Sequence, residues 1–225
     1  MRLLLVRHGE SEWNAIGRLQ GQADPPLSKL GRRQAAHAAA RLVDEGVDVI
    51  VASDLERAYL TADALAGSVG LEISRRVDLR EVDVGSWTGT TREEVERENP
   101  KAWTRWRIEG IEGWDDGETY ADAMVRVGGA ISELAATHQD RTVVAVTHGG
   151  CIRLATCHLL GMPAAEFGRI MSIGNASITE FLVEPDGTGR LVRLNDTAHL
   201  AEVTTADDLE PMATTEFDAF TSGTQ

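Results

Sequence analysis

Residues 2–10 read Arg2-Leu3-Leu4-Leu5-Val6-Arg7-His8-Gly9-Glu10, and this stretch decides the fold. Four apolar residues in a row, with no polar position among them, form a strand buried on both faces, as in the interior of a parallel sheet. The run is too short for a signal peptide or a membrane span. Two similar runs follow, Val47-Asp48-Val49-Ile50-Val51 and Thr142-Val143-Val144-Ala145-Val146. Around them the pattern turns helical. A helix over 28–45 opens at Ser28 and ends near Gly46, and one over 54–68 stops at Gly70. A long helix covers 119–137, and another runs from the Gly149-Gly150 turn to about Leu160. Short apolar strands alternating with amphipathic helices predict an α/β fold: a three-layer sandwich with a mostly parallel central sheet and helices on both faces. Near the C-terminus, residues 178–183 and 190–194 flank Pro185-Asp186-Gly187 and read as a hairpin or edge pair.

Two regions break the alternation. Residues 85–118 hold four of the five tryptophans (Trp87, Trp103, Trp106, Trp114) among many charges, and read as a helical insertion or lid near the active site. Residues 202–225 carry six acidic residues and no lysine or arginine, the composition of a solvated, disordered tail. The expected organisation is therefore one domain over 1–200, with the 85–118 insertion inside it, and an acidic tail over 201–225. The formal net charge is −14, which disfavours nucleic acid and anionic membranes as partners. It would also repel an anionic substrate unless arginines were gathered locally. The two cysteines, Cys151 and Cys157, fall on different faces of one predicted helix, so a disulfide framework is not expected and a cytoplasmic setting fits.

In an open α/β sheet, ligands bind beyond the carboxyl ends of the strands. The first strand ends in Arg7-His8, the second leads into Ser53-Asp54-Leu55-Glu56-Arg57, and the later one ends in Thr147-His148-Gly149-Gly150. Side by side, these ends bring together two arginines and two histidines. Arginine forks match the spread charge of a phosphoryl group, and a neutral imidazole attacks phosphorus to form a covalent intermediate. The glycines after each histidine let backbone approach a ligand closely. A metal reading of His8 and Glu10 lacks a third ligand at a suitable spacing, and Glu10 reads better as a helix N-terminal charge. Trp103 and Trp106, three apart, read as the buried face of a helix. Lys101, Arg105 and Arg107 read as a solvated face, Glu118 as a first-turn charge, and His37, His138, His158 and His199 as structural.

With these residues in view, the chain resembles the histidine phosphatase superfamily, in the branch that includes cofactor-dependent phosphoglycerate mutases. The resemblance rests on Leu5 to Asn14, on Arg18-Leu19-Gln20-Gly21, and on Ser53-Asp54-Leu55 with Arg57-Ala58 and Thr61-Ala62. It continues through Leu79-Arg80-Glu81, Val146 to Gly150 and Gly174-Asn175-Ala176-Ser177. It spans roughly residues 2–200.

The resemblance implies that His8 attacks phosphorus, while Arg7, Arg57 and a protonated His148 stabilise the transferring oxygens. It implies that Asn14 bonds the phosphoryl group or holds His8 in register, that Gln20 and Gly21 line the mouth, and that Gly149 offers its N–H. Glu81 is the expected proton donor and water activator, with Asp83 as runner-up. No metal or other cofactor is implied. The run Glu81-Val82-Asp83-Val84-Gly85-Ser86-Trp87 lacks the mutase insertion with its paired arginines and resembles the phosphatase form, including broad-specificity and glucosyl-3-phosphoglycerate phosphatases. The expected substrate is a small phosphorylated metabolite, either a sugar phosphate or a phosphoglycerate derivative. A phosphoglycerate mutase and a non-catalytic phospho-ligand binding module are the alternatives. A homodimer is allowed, with a sheet-edge strand near 177–183 available for pairing.

Overall fold

The computed structural model describes residues 1–108 and 116–203. Six strands form one sheet: β1 (Arg2–Arg7), β2 (Val49–Ser53), β3 (Ile73–Arg76), β4 (Thr142–Thr147), β5 (Ile178–Val183) and β6 (Gly189–Asp196). Their order is β3-β2-β4-β1-β5-β6. The first four run parallel; β5 and β6 are antiparallel additions on one side.

β1 lies between β4 and β5, which explains its unbroken apolar run. Leu3 and Leu5 join Val143, Ala145 and Phe181 in a core on one face, while Leu4 and Val6 join Ile50, Val144 and Val146 on the other. Burying each such side chain contributes about 1.5–3 kcal/mol, so both faces demand cover. Helices α2 (Lys29–Leu42) and α3 (Glu56–Val69) cover the second face through Ala39, Leu42, Ala58, Ala62 and Leu65. Helices α6 (Tyr120–Thr137) and α7 (Gly149–Leu159) cover the first through Val127, Ile131, Leu134, Ile152 and Ala155. The three-layer architecture is as expected, and the helix signals are physical ones. The Ser28 side chain accepts from Gly31 N–H at 2.9 Å to start α2, and Gly70, at φ 71°, ends α3 in the left-handed region.

The remaining helices are short. α1 (Glu12–Ala15) is one turn with a Ser11–Asn14 capping box, and α4 (Arg92–Glu98) and α5 (Pro100–Ile108) belong to the tryptophan-rich region. There Trp87 and Trp103 are buried with Val84 and Val95 in a small core of their own, joined by Leu19 and Trp106. Trp103 thus takes the buried helix face expected of it, and Lys101 and Arg105 are exposed. Trp114, the Arg107 side chain and nearly all of the acidic tail lie outside the described residues.

One reading is corrected here. The segment near 177–183 is not a sheet edge, because β5 is paired on both sides; the edges are β3 and β6. β3 carried no sequence signal because its Ile-Ser-Arg-Arg run has two exposed residues and no apolar alternation. Cys151 and Cys157 both lie buried and unbridged on α7.

Candidate active site

The carboxyl ends of β1, β2 and β4 converge as the sequence suggested. His8 follows β1 and is fixed by its own backbone. Its N–H donates to Thr147 O at 2.9 Å, and its carbonyl accepts from Ala176 N (3.1 Å) and Asn175 Nδ2 (3.1 Å). Ala176 holds this position at φ 54°, a left-handed conformation that costs a non-glycine residue on the order of 1 kcal/mol. The imidazole Nδ1 lies 2.6 Å from Gly9 O. A carbonyl only accepts, so Nδ1 carries the proton and Nε2 keeps its lone pair. Burial, then Arg57 and Arg7, hold His8 well below the ordinary histidine value, so the ring is neutral at physiological pH.

His148 stands at the end of β4, fully buried, its ring centroid 5.1 Å from that of His8. Its Nε2 meets Ser53 Oγ at 2.9 Å. Burial, then Arg57, His8 and Arg7, push it well below the ordinary value. These influences favour the neutral ring, and a phosphoryl anion brought against it acts in the opposite direction, toward the protonated form that the resemblance implies. Arg57, on the first turn of α3, is also fully buried; it donates to Ala23 O (2.6 Å) and Gly21 O (2.9 Å). Burial brings it down to about 10, partly offset by Glu81 and Asp24, so it remains cationic. Arg7 donates to Ile173 O, and the missing Cβ of Gly149 leaves room for its guanidinium, whose Nε would lie 3.3 Å from that carbon. Arg57 Nε and His148 Nδ1 are buried and find no hydrogen-bond partner among the described residues.

Glu81 lies against the start of α7. Its Oε2 accepts from Gly150 N (3.1 Å) and its Oε1 from Val82 N (3.0 Å) and Cys151 N (3.2 Å), which sets the carboxyl on the first turn of α7. A Cβ on Gly150 would lie 2.5 Å from Glu81 Oε1, so the second glycine of the His148 motif makes room for this carboxyl. Asp83, the runner-up, turns instead to Gly85 N at 2.9 Å.

Other named residues are tied into this frame by hydrogen bonds of their own. Asn14 Oδ1 accepts from Asn175 Nδ2 (3.3 Å), which also holds His8 O. Gln20 Oε1 accepts from Ser11 Oγ at 2.8 Å, and Gly21, at φ 51°, offers its carbonyl to Arg57. Glu10 accepts from Ser28 Oγ at 2.6 Å at the start of α2, in the helix-terminal place expected of it. Thr61, Ser53 and Asn175 received no role from the sequence. Thr61 Oγ1 accepts from Gly9 N (3.0 Å) and donates to Arg57 O (2.7 Å), tying the nucleophile loop to α3. All three stood inside quoted motifs, so motif membership was the available signal.

The comparisons agree with this geometry. Residues 3–197 match the model of the histidine phosphatase superfamily, branch 1. The chain is 38% identical to phosphoserine phosphatase 1 of Hydrogenobacter thermophilus over 203 residues, 90% of this chain and 95% of the relative. It is 37% identical to the glucosyl-3-phosphoglycerate phosphatase of Mycobacterium tuberculosis over 187 residues, 80% of this chain and 84% of that one. Among solved structures, mycobacterial glucosyl-3-phosphoglycerate phosphatase in complex with VO3 superposes with a TM-score of 0.82 at 36% identity, covering 87% of this chain and 99% of the other. Strand ends, buried histidine pair and family match converge: the chain belongs to the histidine phosphatase superfamily, branch 1.

Proposed function

We propose that this protein hydrolyses a small phosphomonoester by passing its phosphoryl group first to His8 and then to water. The carrying observation is the juxtaposition of a His8 Nε2 that keeps its lone pair with two buried nitrogens, Arg57 Nε and His148 Nδ1, that find no partner among the described residues. Buried N–H groups are rarely left in this condition, and phosphoryl oxygens would satisfy them. The ring attacks phosphorus, a P–N bond forms, and the ester P–O bond breaks. The leaving oxygen takes a proton from the Glu81 carboxyl. The resulting carboxylate then accepts a proton from water, whose oxygen attacks phosphorus, and the P–N electron pair returns to His8. Arg7, Arg57 and His148 bear the charge on the transferring oxygens, with Gly149 at the N-terminus of α7 beside them.

The named relatives act on esters of carboxylate-bearing metabolites, phosphoserine and glucosyl-3-phosphoglycerate. Phosphoserine, 3-phosphoglycerate and sugar phosphates are therefore the first substrates to assay, with and without chelator and a bisphosphoglycerate primer. Phosphate release independent of both additions is the expected result. Primer-dependent isomerisation of phosphoglycerate without release would establish a mutase instead.

A further inference from the structure

The segment Asp78 to Glu81 lies between β3 and the tryptophan-rich region and joins no strand ladder. Its four consecutive carbonyls are nevertheless all taken, each by a side chain from elsewhere. Asp78 O accepts from Arg126 Nη1 (2.9 Å), and Leu79 O from Thr147 Oγ1 (2.7 Å). Arg80 O accepts from Arg126 Nη1 (2.9 Å) and Cys151 Sγ (2.8 Å), and Glu81 O from Gln22 Nε2 (3.4 Å) and Arg126 Nη2 (3.5 Å). Arg126, on α6, thus reaches three of the four.

The other side of its fork is fixed as well. Arg126 Nε and Nη2 grip Glu118 Oε1 (2.8 Å) and Oε2 (2.6 Å), a bidentate pair whose side chains are only 22% and 17% exposed. Glu118 in turn interlocks with the same chain, its N–H donating to Asp83 O at 2.9 Å and its Oε2 accepting from Asp83 N at 3.4 Å. The backbones press together here without side chains: a Cβ on Gly117 would lie 2.3 Å from Asp83 O, and one on Gly85 2.7 Å from Gly117 N. Glu118, read from sequence as a first-turn charge, is half of a clasp.

We infer that Arg126, oriented by Glu118, is a positioning residue for Glu81. Arg126 clasps the segment from α6 while the N-terminus of α7 holds the carboxyl, so the proton donor is suspended between two helices. Only a planar fork with several donors reaches this set; lysine, a point charge on a flexible stem, does not. The inference rests on the proposed role of Glu81 in protonating the leaving group.

The test compares kcat/KM for two esters, since this ratio reports the step in which the leaving group departs. Phosphoserine has an alkoxide leaving group that needs a proton; dinitrophenyl phosphate has one that does not. Glu81→Gln should lose on the order of 10²-fold or more on phosphoserine and little on the aryl ester. Arg126→Lys should lose about 10- to 100-fold on phosphoserine and less than about 3-fold on the aryl ester, the signature of a misplaced acid. Glu118→Gln, which keeps the side-chain length, should fall in between wild type and Arg126→Lys and serves if the lysine variant folds poorly. Equal losses on both esters, or none, in Arg126→Lys or in the Glu118→Gln substitute would overturn the clasp while leaving Glu81 in place. If Glu81→Gln itself fails to discriminate between the esters, the role of Glu81 is wrong and the inference falls with it.

Discussion

The two sides of the catalytic centre are built by different means. On the phosphoryl side, His8, Arg57 and His148 are buried to 2%, 0% and 0% exposure and stand at the ends or first turns of regular elements. On the leaving-group side, Glu81 is partly exposed and hangs from a segment whose carbonyls are held by Arg126, Thr147, Cys151 and Gln22. The first side inherits its precision from the sheet. The second gets its precision from single side chains. Changes on the first side should therefore lower kcat/KM for every ester equally, and changes on the second should lower kcat/KM only for esters that need an acid.

The largest effect is expected for His8→Ala, which removes the nucleophile and should cost on the order of 10⁴-fold or more in turnover of both esters. A retained burst of leaving group in that variant would place the nucleophile elsewhere. His148→Asn removes one donor to the transferring oxygens and should cost about 10²- to 10³-fold, again on both esters. Selectivity for phosphoserine in that variant would erase the division between the two sides. Gly150→Ala puts a Cβ where the Glu81 carboxyl now sits and should cost about 10-fold in kcat/KM for phosphoserine alone, with thermal stability little changed.

The smallest effect is thermodynamic and belongs to the phosphoryl side. His8 and His148 stay neutral in the fold but protonate near 6.5 when unfolded. The unfolded chain therefore binds more protons as pH falls through that value, and stability present above it is lost below. Half-buried His199 is shifted in the same direction, while the shifted carboxylates start from lower values and titrate below this window. Between pH ~7.5 and ~5.5 each fully buried histidine should cost roughly 1 kcal/mol, which lowers Tm by about 5 °C in all. His148→Asn should flatten the slope; an unchanged slope would mean that His148 already carries its proton in the fold.

The same contrast sets what the sequence made legible. The run Leu3 to Val6 disclosed a central strand because both of its faces are buried, and Arg7, His8, Arg57 and His148 followed from standing at strand ends. Glu81 was reached through family resemblance, since nothing in Leu79-Arg80-Glu81 taken alone indicates where its carboxyl points. Arg126 was invisible: it sits among ordinary helix residues 45 positions away, and its partners are backbone carbonyls, which leave no residue pattern. Glu118 was misread because its position before α6 fits a helix-terminal charge, while its contacts with Arg126 and Asp83 are tertiary. The protonation of His148 depends on burial and on the guanidiniums of Arg57, Arg7 and Arg126, none of which its local sequence discloses.

The central claim is that His8 takes the phosphoryl group. Mixing the protein with phosphoserine labelled in the phosphate, denaturing it in alkali within the first turnover and mapping the labelled peptide tests this directly. The account predicts an alkali-stable, acid-labile label on the peptide containing His8 that is absent from His8→Ala. Turnover without any such label, or a label on another residue, would contradict it.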